Sequence, residues 1–80
     1  MPGHIHAHDS MVVQSLLFDK RWTQEEVKAW LRHHGYKVGL DIKLKYYRAR
    51  QLDPKSFRRT TFRTIHFSEG IEAVVGKLKG

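Results

Sequence analysis

WTQEEVKAWLRHHGY, residues 22–36, contains the local signals that begin and end an α-helix. Thr23 and Glu26 have the spacing of a capping box, in which each side chain accepts a hydrogen bond from the other residue's backbone N–H. Gly35 stands where helices end in a left-handed residue. We therefore predict a helix over residues 24–34. Its apolar face follows the helical repeat and comprises Val27, Trp30, Leu31 and His34.

The segment before the helix has the composition of a buried strand. Residues 11–18 read MVVQSLLF, a β-branched and aromatic run that is typical of a strand covered on both faces. Residues 1–10 contain Pro, Gly and three His without a hydrophobic pattern, so we interpret them as a flexible tail. Since 80 residues leave no room for a second core, residues 11–80 are expected to form one small domain.

The segment after the helix alternates between apolar and polar residues, as strands do. Strict alternation along it would bury Arg48 and expose Ala49. We predict that a β-bulge at residues 46–47 shifts the phase of this second strand, so that Tyr47 and Ala49 face the core. The side chains that then point outward together are Tyr46, Arg48 and Arg50.

The remaining residues predict a loop and two further strands. Pro54 cannot donate to a β-ladder and therefore marks a turn. Ile65 and Phe67 are expected to face inward, and residues 76–80 are expected to fray. These features indicate an α+β fold of order β-α-β-β-β, with a single helix packed on a small, mostly antiparallel sheet. The predicted elements are a turn at 53–56, a strand at 60–67, a tight connection at 68–70 and a strand at 71–77.

The net charge of +7 is concentrated in one stretch. Residues 43–63 carry eight basic side chains and one acid, whereas the rest of the chain has seven of each. A local excess of this size favours a polyanionic partner, because a solubilising surface normally mixes charges of both signs. Arginine binds phosphate through two N–H groups, and a tyrosine ring can stack on a base. The predicted nucleic-acid-binding residues are Lys43, Lys45, Tyr46, Arg48, Arg50, Lys55, Arg58, Arg59 and Arg63.

The sequence has no glycine-rich phosphate loop, no cysteine and no serine in a nucleophile elbow. We therefore expect neither catalytic activity nor a cofactor. His4, His6 and His8 with Asp9 have the donor types of a zinc site, but a tail without supporting partners binds metal weakly, so we predict no metal site. If the first residue is removed, the new amino terminus and His4 could chelate Cu²⁺ or Ni²⁺.

Most of the chain also carries a family resemblance. Its segments are LFD at 17–19, WTQEE at 22–26, WLRHHGY at 30–36, YYRARQ at 46–51, FRTI at 62–65 and GIEAVVG at 70–76. In this order, across residues 12–76, the chain resembles a family of small uncharacterised α+β proteins and fused domains encoded by tailed phages and large DNA viruses. The resemblance implies a viral or prophage origin and a compact α+β module.

Charge and resemblance together lead us to expect a viral or phage accessory protein that binds DNA or RNA. It would neutralise phosphates with arginine and lysine while Tyr46 stacks on a base, either on single strands or as a non-specific backbone binder. The alternative is a virion or host-takeover module that binds an acidic protein surface. No stretch is long and apolar enough to cross a bilayer, so we expect the host cytoplasm or the virion and no membrane contact.

Overall fold

The computed structural model describes residues 11–79, and the predicted tail with its histidines lies outside the described residues. This part of the chain forms one five-stranded antiparallel sheet with a helix packed on one face, which confirms the predicted α+β class. The elements are β1 (Val12–Asp19), α1 (Gln24–His33), β2 (Asp41–Ile42), β3 (Tyr46–Arg50), β4 (Arg63–Ser68) and β5 (Ile71–Gly76), with 3₁₀ turns at Pro54–Ser56 and Arg59–Thr61. In space the strands follow the order β2-β3-β1-β5-β4.

The helix begins and ends as its local signals predict. The backbone N–H of Glu26 donates to Thr23 Oγ1 (3.1 Å), and the N–H of Thr23 donates to Glu26 Oε1 (2.9 Å). At the other end Gly35 has a φ of 79°, and the N–H of Tyr36 donates to the carbonyl of Leu31 (2.8 Å). This left-handed cap ends α1 one residue earlier than predicted. Within the described residues no helix is both long and apolar enough to cross a membrane.

The core lies between α1 and the three middle strands. Leu16 and Phe18 of β1 are fully buried under Val27 and Leu31 of the helix, which confirms β1 as a largely buried strand. Trp30 is half-buried and packs edge-on against Phe18, with ring centroids 5.5 Å apart. Each large apolar side chain buried in this way stabilises the fold by about 1.5–3 kcal/mol.

The last position of the predicted helical face differs from expectation. His34 is exposed, and its ring stacks on Trp30 with centroids 3.9 Å apart instead of entering the core. The His34 Nδ1 lies 2.9 Å from the carbonyl oxygen of Trp30, so the ring stays close to the helix end. The imidazole therefore covers part of an aromatic face that the sheet leaves open.

The second predicted strand is two strands, and the bulge predicted at residues 46–47 is wrong. β2 and β3 pair antiparallel, with Ile42 opposite Tyr47, and the N–H of Lys43 donates to the carbonyl of Tyr46 (2.9 Å) to close the turn between them. The burial that the bulge was meant to explain is nevertheless found. Ala49 is fully buried, Tyr47 packs against the core, and Arg50 is exposed.

Ile65 and Phe67 lie on the helix side of the sheet, as predicted, but neither is buried: Ile65 is opposite the core residue Ala73, and Phe67 lies beside Trp30. Both side chains lie on β4, the edge strand, and are 39% and 40% exposed. Strands are spaced about 4.8 Å apart and a helix is about 10 Å wide, so one helix does not cover five strands. Phe67 still reaches the edge of the Trp30 ring, with centroids 6.0 Å apart. The helix side of β4 is therefore an apolar surface open to solvent.

Candidate nucleic-acid interface

The face of the sheet opposite α1, here called the open face, carries the outward residues of β3. Leu16, opposite Ala49, points to the helix, so Leu17 and its partner Arg48 point the other way, because side chains alternate along a strand. The same register gives the remaining open-face residues. They are Ser15, Asp19, Tyr46, Arg50, Thr64, His66, Glu72 and Val74.

Arg48 and Arg50 have different surroundings on the open face. Arg50 is exposed, whereas Arg48 is half-buried and its Nε is shielded from solvent without a hydrogen-bond partner among the described residues. A buried N–H without an acceptor costs about 1–3 kcal/mol. Arg48 therefore has an unused donor beneath the open face, which a movement of its side chain would expose to a bound anion. An anionic oxygen is the natural acceptor for such a donor.

A bulge in β1 positions the residues that follow β3, beginning at Gln51. The register of β1 against β5 shifts between Val13 and Ser15, and Gln14 lies at the shift. The Gln14 carbonyl accepts from the N–H groups of Gln51 (2.8 Å) and Leu52 (3.2 Å), and Gln14 Nε2 donates to the Leu52 carbonyl (2.8 Å). These three bonds turn residues 52–62 back across the end of the open face.

Residues 52–62 are anchored there by a buried aromatic ring. Phe57 is 1% exposed and lies against Gly76 of β5, where a Cβ added to the glycine would stand 3.0 Å from the ring. Phe62 packs on the same site, with its ring centroid 5.3 Å from that of Phe57. Gly76 leaves the space that these two rings fill, so a residue with a side chain there would displace them.

Residues 77–79 pair with this segment and Gly76 is a buried residue of β5, so the prediction that residues 76–80 fray is wrong for residues 76–79. The N–H of Arg58 donates to the carbonyl of Lys77 (2.8 Å), and the N–H of Lys79 donates to the carbonyl of Ser56 (2.9 Å). The N–H of Lys77 also donates to Thr61 Oγ1 (2.8 Å). We call residues 53–62 together with residues 77–79 the basic clasp. Its cations are Lys55, Arg58, Arg59, Lys77 and Lys79.

The clasp gathers five cations and, among the described residues, one acid, Asp53, which accepts a hydrogen bond from the backbone N–H of Lys55. Within residues 11–79 the one salt bridge joins Arg21 and Asp19 (2.8 Å), so no clasp cation has a carboxylate of these residues within 4 Å. Phe57 pairs with Leu78 across the clasp, which places Arg58 directly opposite Lys77. Like charges opposite each other on paired strands destabilise the pairing. An anion bound between them would remove that repulsion.

The other end of the open face is different in charge. A groove of about 400 Å³ there is lined by Tyr46 and Lys45 but also by Asp19 and Glu72. The hydrogen bond from the Arg21 side chain lowers the pKa of Asp19, which keeps this carboxylate charged. Tyr46 is half-buried beside these acids. The ring predicted to stack on a base therefore lies at the more acidic end of the face.

The nine predicted residues fall into four places. Arg63 pairs with Val75, a core residue, and so lies on the helix side of β4, away from the open face. Lys43 and Lys45 flank the β2–β3 turn, at the end of the sheet far from the clasp. Tyr46, Arg48 and Arg50 occupy the open face, and Lys55, Arg58 and Arg59 the clasp.

Three contributors to this site were missed from the sequence. Lys77 and Lys79 join the clasp through backbone pairing with residues 56–61, and Gln14 positions the segment that forms it. Phe57 and Phe62 are the signal that could have indicated the docking, because two large aromatic residues beside a basic loop need an apolar surface to pack on, whereas their contact with Gly76 is seen only in the structure. No three residues of the metal-binding types converge within residues 11–79.

Comparisons with protein-family models, with curated proteins and with solved structures find no match to this chain.

Proposed function

We propose that this chain binds nucleic acid through the phosphate backbone, with the basic clasp and the neighbouring arginines of β3 as its contact surface. The observation that carries the proposal is the gathering of five cations in the clasp, none of which forms a salt bridge with a carboxylate of residues 11–79. Their repulsion opposes folding and is relieved when anions bind. A phosphodiester backbone supplies such anions at regular spacing.

The two arginines of β3 extend this surface onto the sheet. Arg50 pairs with Ser15, which follows Gln14 in β1. Gln14 holds the start of the clasp segment, so Arg50 lies where the clasp crosses the open face. Arg48 lies two residues further along and has the donor without a partner. Guanidinium groups bind phosphate oxygens through two parallel hydrogen bonds. A strand laid from the clasp across β3 would thus meet cations along its length.

Base stacking has a smaller part in the proposed mechanism than the sequence suggested. Tyr46 is half-buried and lies near Glu72, which would repel a phosphate close to the stacked base, and near Asp19, whose charge is paired with Arg21. Contacts to phosphate carry affinity but little sequence information. We therefore propose a non-specific backbone binder, and its role as a phage or viral accessory protein rests on the family resemblance.

The salt dependence of binding tests this proposal. Fluorescence anisotropy of a labelled duplex should give a log–log slope of the binding constant against salt of about −0.9 for each phosphate contact, or about −6.3 if the five clasp cations and the two β3 arginines all take part. Replacing Arg58, Arg59 and Lys77 by Gln should reduce the slope by about 2.7. The matched control replaces Lys28 and Arg32, two exposed cations of α1, and should leave the slope unchanged.

A negative result also has a definite meaning. Protein freed of co-purified nucleic acid that binds neither duplex nor single strands at low salt would contradict the proposal. The acidic-protein partner would then take its place, because an acidic protein surface is attracted by the same unpaired cations. An unchanged slope in the clasp variant, with binding retained, would instead move the contact surface to the open face.

A further inference from the structure

A second surface on the helix side has a different character from the clasp. A groove of about 780 Å³ runs between one flank of α1 and the turn that joins β4 to β5. Its lining is mostly apolar, and its walls include Trp22, Ala29 and Trp30. Ala29 is exposed and the two tryptophans are half-buried, so the groove is open to solvent. Apolar grooves of this kind mark sites where another molecule docks.

The charged residues of the groove are acidic overall, on a chain whose net charge is +7. Glu26 and Glu69 line the groove, together with the imidazoles of His33 and His34 and with Arg21, which is paired with Asp19. One oxygen of Glu26 accepts the N–H of Thr23, and the other is left for an occupant. An occupant that matches this site would present an apolar side chain to the tryptophans and positive charge to the two glutamates.

The turn between β2 and β3 has this chemistry. Lys43, Leu44 and Lys45 form its tip, and Leu44 is 91% exposed. Ile42, which precedes the tip, is 59% exposed. The hydrogen bond from the N–H of Lys43 to the carbonyl of Tyr46 closes the turn and holds Leu44 outward between the two lysines. One leucine flanked by two ammonium groups fits an apolar groove flanked by two carboxylates.

The tip and the groove lie at the same end of the sheet. Tyr46, next to the tip, pairs with Asp19, and the N–H of Asp19 donates to the carbonyl of Gly70 (3.0 Å), which lines the groove. The tip joins β2 to β3 and the groove adjoins the β4–β5 turn, so they lie on either side of β1. Three strand spacings separate them, roughly 14 Å.

From this arrangement we infer that two copies of the chain form a two-fold dimer in which the Leu44 tip of each copy occupies the groove of the other. A two-fold axis roughly normal to the sheets, beyond the end of β1, brings both tips onto both grooves at once. Such a reciprocal contact closes the assembly at two copies. The two open faces then lie on the same side, with the clasps at the far ends. The dimer does not depend on the proposed function.

Sedimentation velocity on the full chain without nucleic acid tests the inference. The dimer fraction of the wild-type protein should increase with protein concentration up to about 1 mM, which covers dissociation constants as weak as about 1 mM. Leu44→Asp should be monomeric with an unchanged circular dichroism spectrum, since the side chain is exposed. Ala29→Arg, which fills the groove, should also be monomeric, whereas Gln24→Arg adds the same charge on α1 outside the groove and should still dimerise.

Ile65→Asp separates this interface from pairing of the β4 edges, because Ile65 is an exposed apolar residue outside the groove. Loss of the dimer in Ile65→Asp with retention in Leu44→Asp would overturn the inference. So would wild-type protein that stays monomeric throughout the concentration range.

A charge exchange provides the sharpest test. The double variant Lys43→Glu/Lys45→Glu should be monomeric because its tip repels the groove, and Glu69→Lys should be monomeric for the same reason. When the two proteins are mixed, the acidic tip meets the groove with the lysine and the native tip meets the native groove. The mixture should therefore sediment as a heterodimer. A mixture that remains monomeric would contradict the assignment of tip to groove.

Discussion

One buried ring holds the basic clasp on the sheet, so Phe57→Ala tests directly how the candidate interface is built. Phe57 is 1% exposed, its ring lies against Gly76, and Phe62 is its aromatic neighbour at 5.3 Å. Truncating a fully buried phenylalanine to alanine costs about 3–5 kcal/mol when the surroundings do not collapse. For a domain of this size each kcal/mol lowers the Tm by about 4–8 °C.

We therefore expect Phe57→Ala to lower the Tm by more than about 10 °C in a thermal melt followed by circular dichroism. Hydrogen exchange should become faster at the amides of Arg58, Lys77 and Lys79, because these three donate the hydrogen bonds that close the clasp. The amides within α1 should lose less protection, since the helix packs on the other face of the sheet.

Phe67→Ala is the matched control. Phe67 is 40% exposed and meets the edge of the Trp30 ring, so the same truncation removes much less buried surface and should cost less than half as much. If Phe57→Ala melted within a few degrees of the wild type and left exchange at Lys77 unchanged, the clasp would not be held by this ring. The clasp would then not be a preformed cationic site.

Two further predictions concern the end of the sheet away from the clasp. Gly70→Ala should lower the free energy of unfolding in urea by more than Gly35→Ala does. Both glycines have a positive φ, which costs any other residue about 1–2 kcal/mol. A Cβ on Gly70 would in addition lie 2.8 Å from Trp22 Nε1, whereas one on Gly35 would meet nothing within 4 Å. Equal losses would show that Trp22 moves aside freely. The hydrogen bond from Arg21 lowers the pKa of the Asp19 carboxyl, so the charged carboxylate should stabilise the fold at pH values above its ordinary pKa. This stability should be lost as the pH falls through the lowered pKa. Asp19→Asn should flatten that part of the Tm–pH curve, and identical curves for variant and wild type would contradict the role of the pair.

The helix could be predicted almost to the residue because its signals are local. The capping box joins residues three apart, and the glycine cap is fixed by the conformation of Gly35 itself. No distant contact is needed to decide either end. The burial of Val27 and Leu31 follows from the same spacing, since residues four apart lie on one side of a helix.

The strand after the helix shows where a burial pattern stops being sufficient. Both a bulge and a tight turn reverse the phase of an alternating sequence, so both place Ala49 inside and Arg50 outside. The pattern therefore predicted which side chains are buried and could not distinguish one kinked strand from two paired strands. The exposure of Leu44 distinguishes the two alternatives, because Leu44 lies at the turn between two paired strands, where no core covers it.

The clasp could be predicted only in part, since its two halves lie about 20 residues apart in sequence. A charge count over residues 43–63 includes Arg58 and Arg59 but omits Lys77 and Lys79, which reach the site through backbone pairing. The same count includes Arg63, although its register with Val75 turns it to the other face. A charge count along the sequence predicts a charged surface correctly only where residues close in sequence also lie close together in the fold.

The energetics of the clasp explain how a fold gathers like charges and what such a site is suited to bind. Burying the Phe57 ring stabilises docking by about 2–3 kcal/mol, whereas two like charges opposite each other on paired strands cost about 0.2–1 kcal/mol. Apolar contact thus outweighs the repulsion that it forces on Arg58 and Lys77. The repulsion is retained in the folded protein, so any anion held between the two side chains binds the docked clasp more tightly than the undocked one. By linkage the anion then stabilises the docked state in proportion to that difference in affinity. Anion binding to the clasp and the ordering of residues 77–79 are therefore thermodynamically coupled.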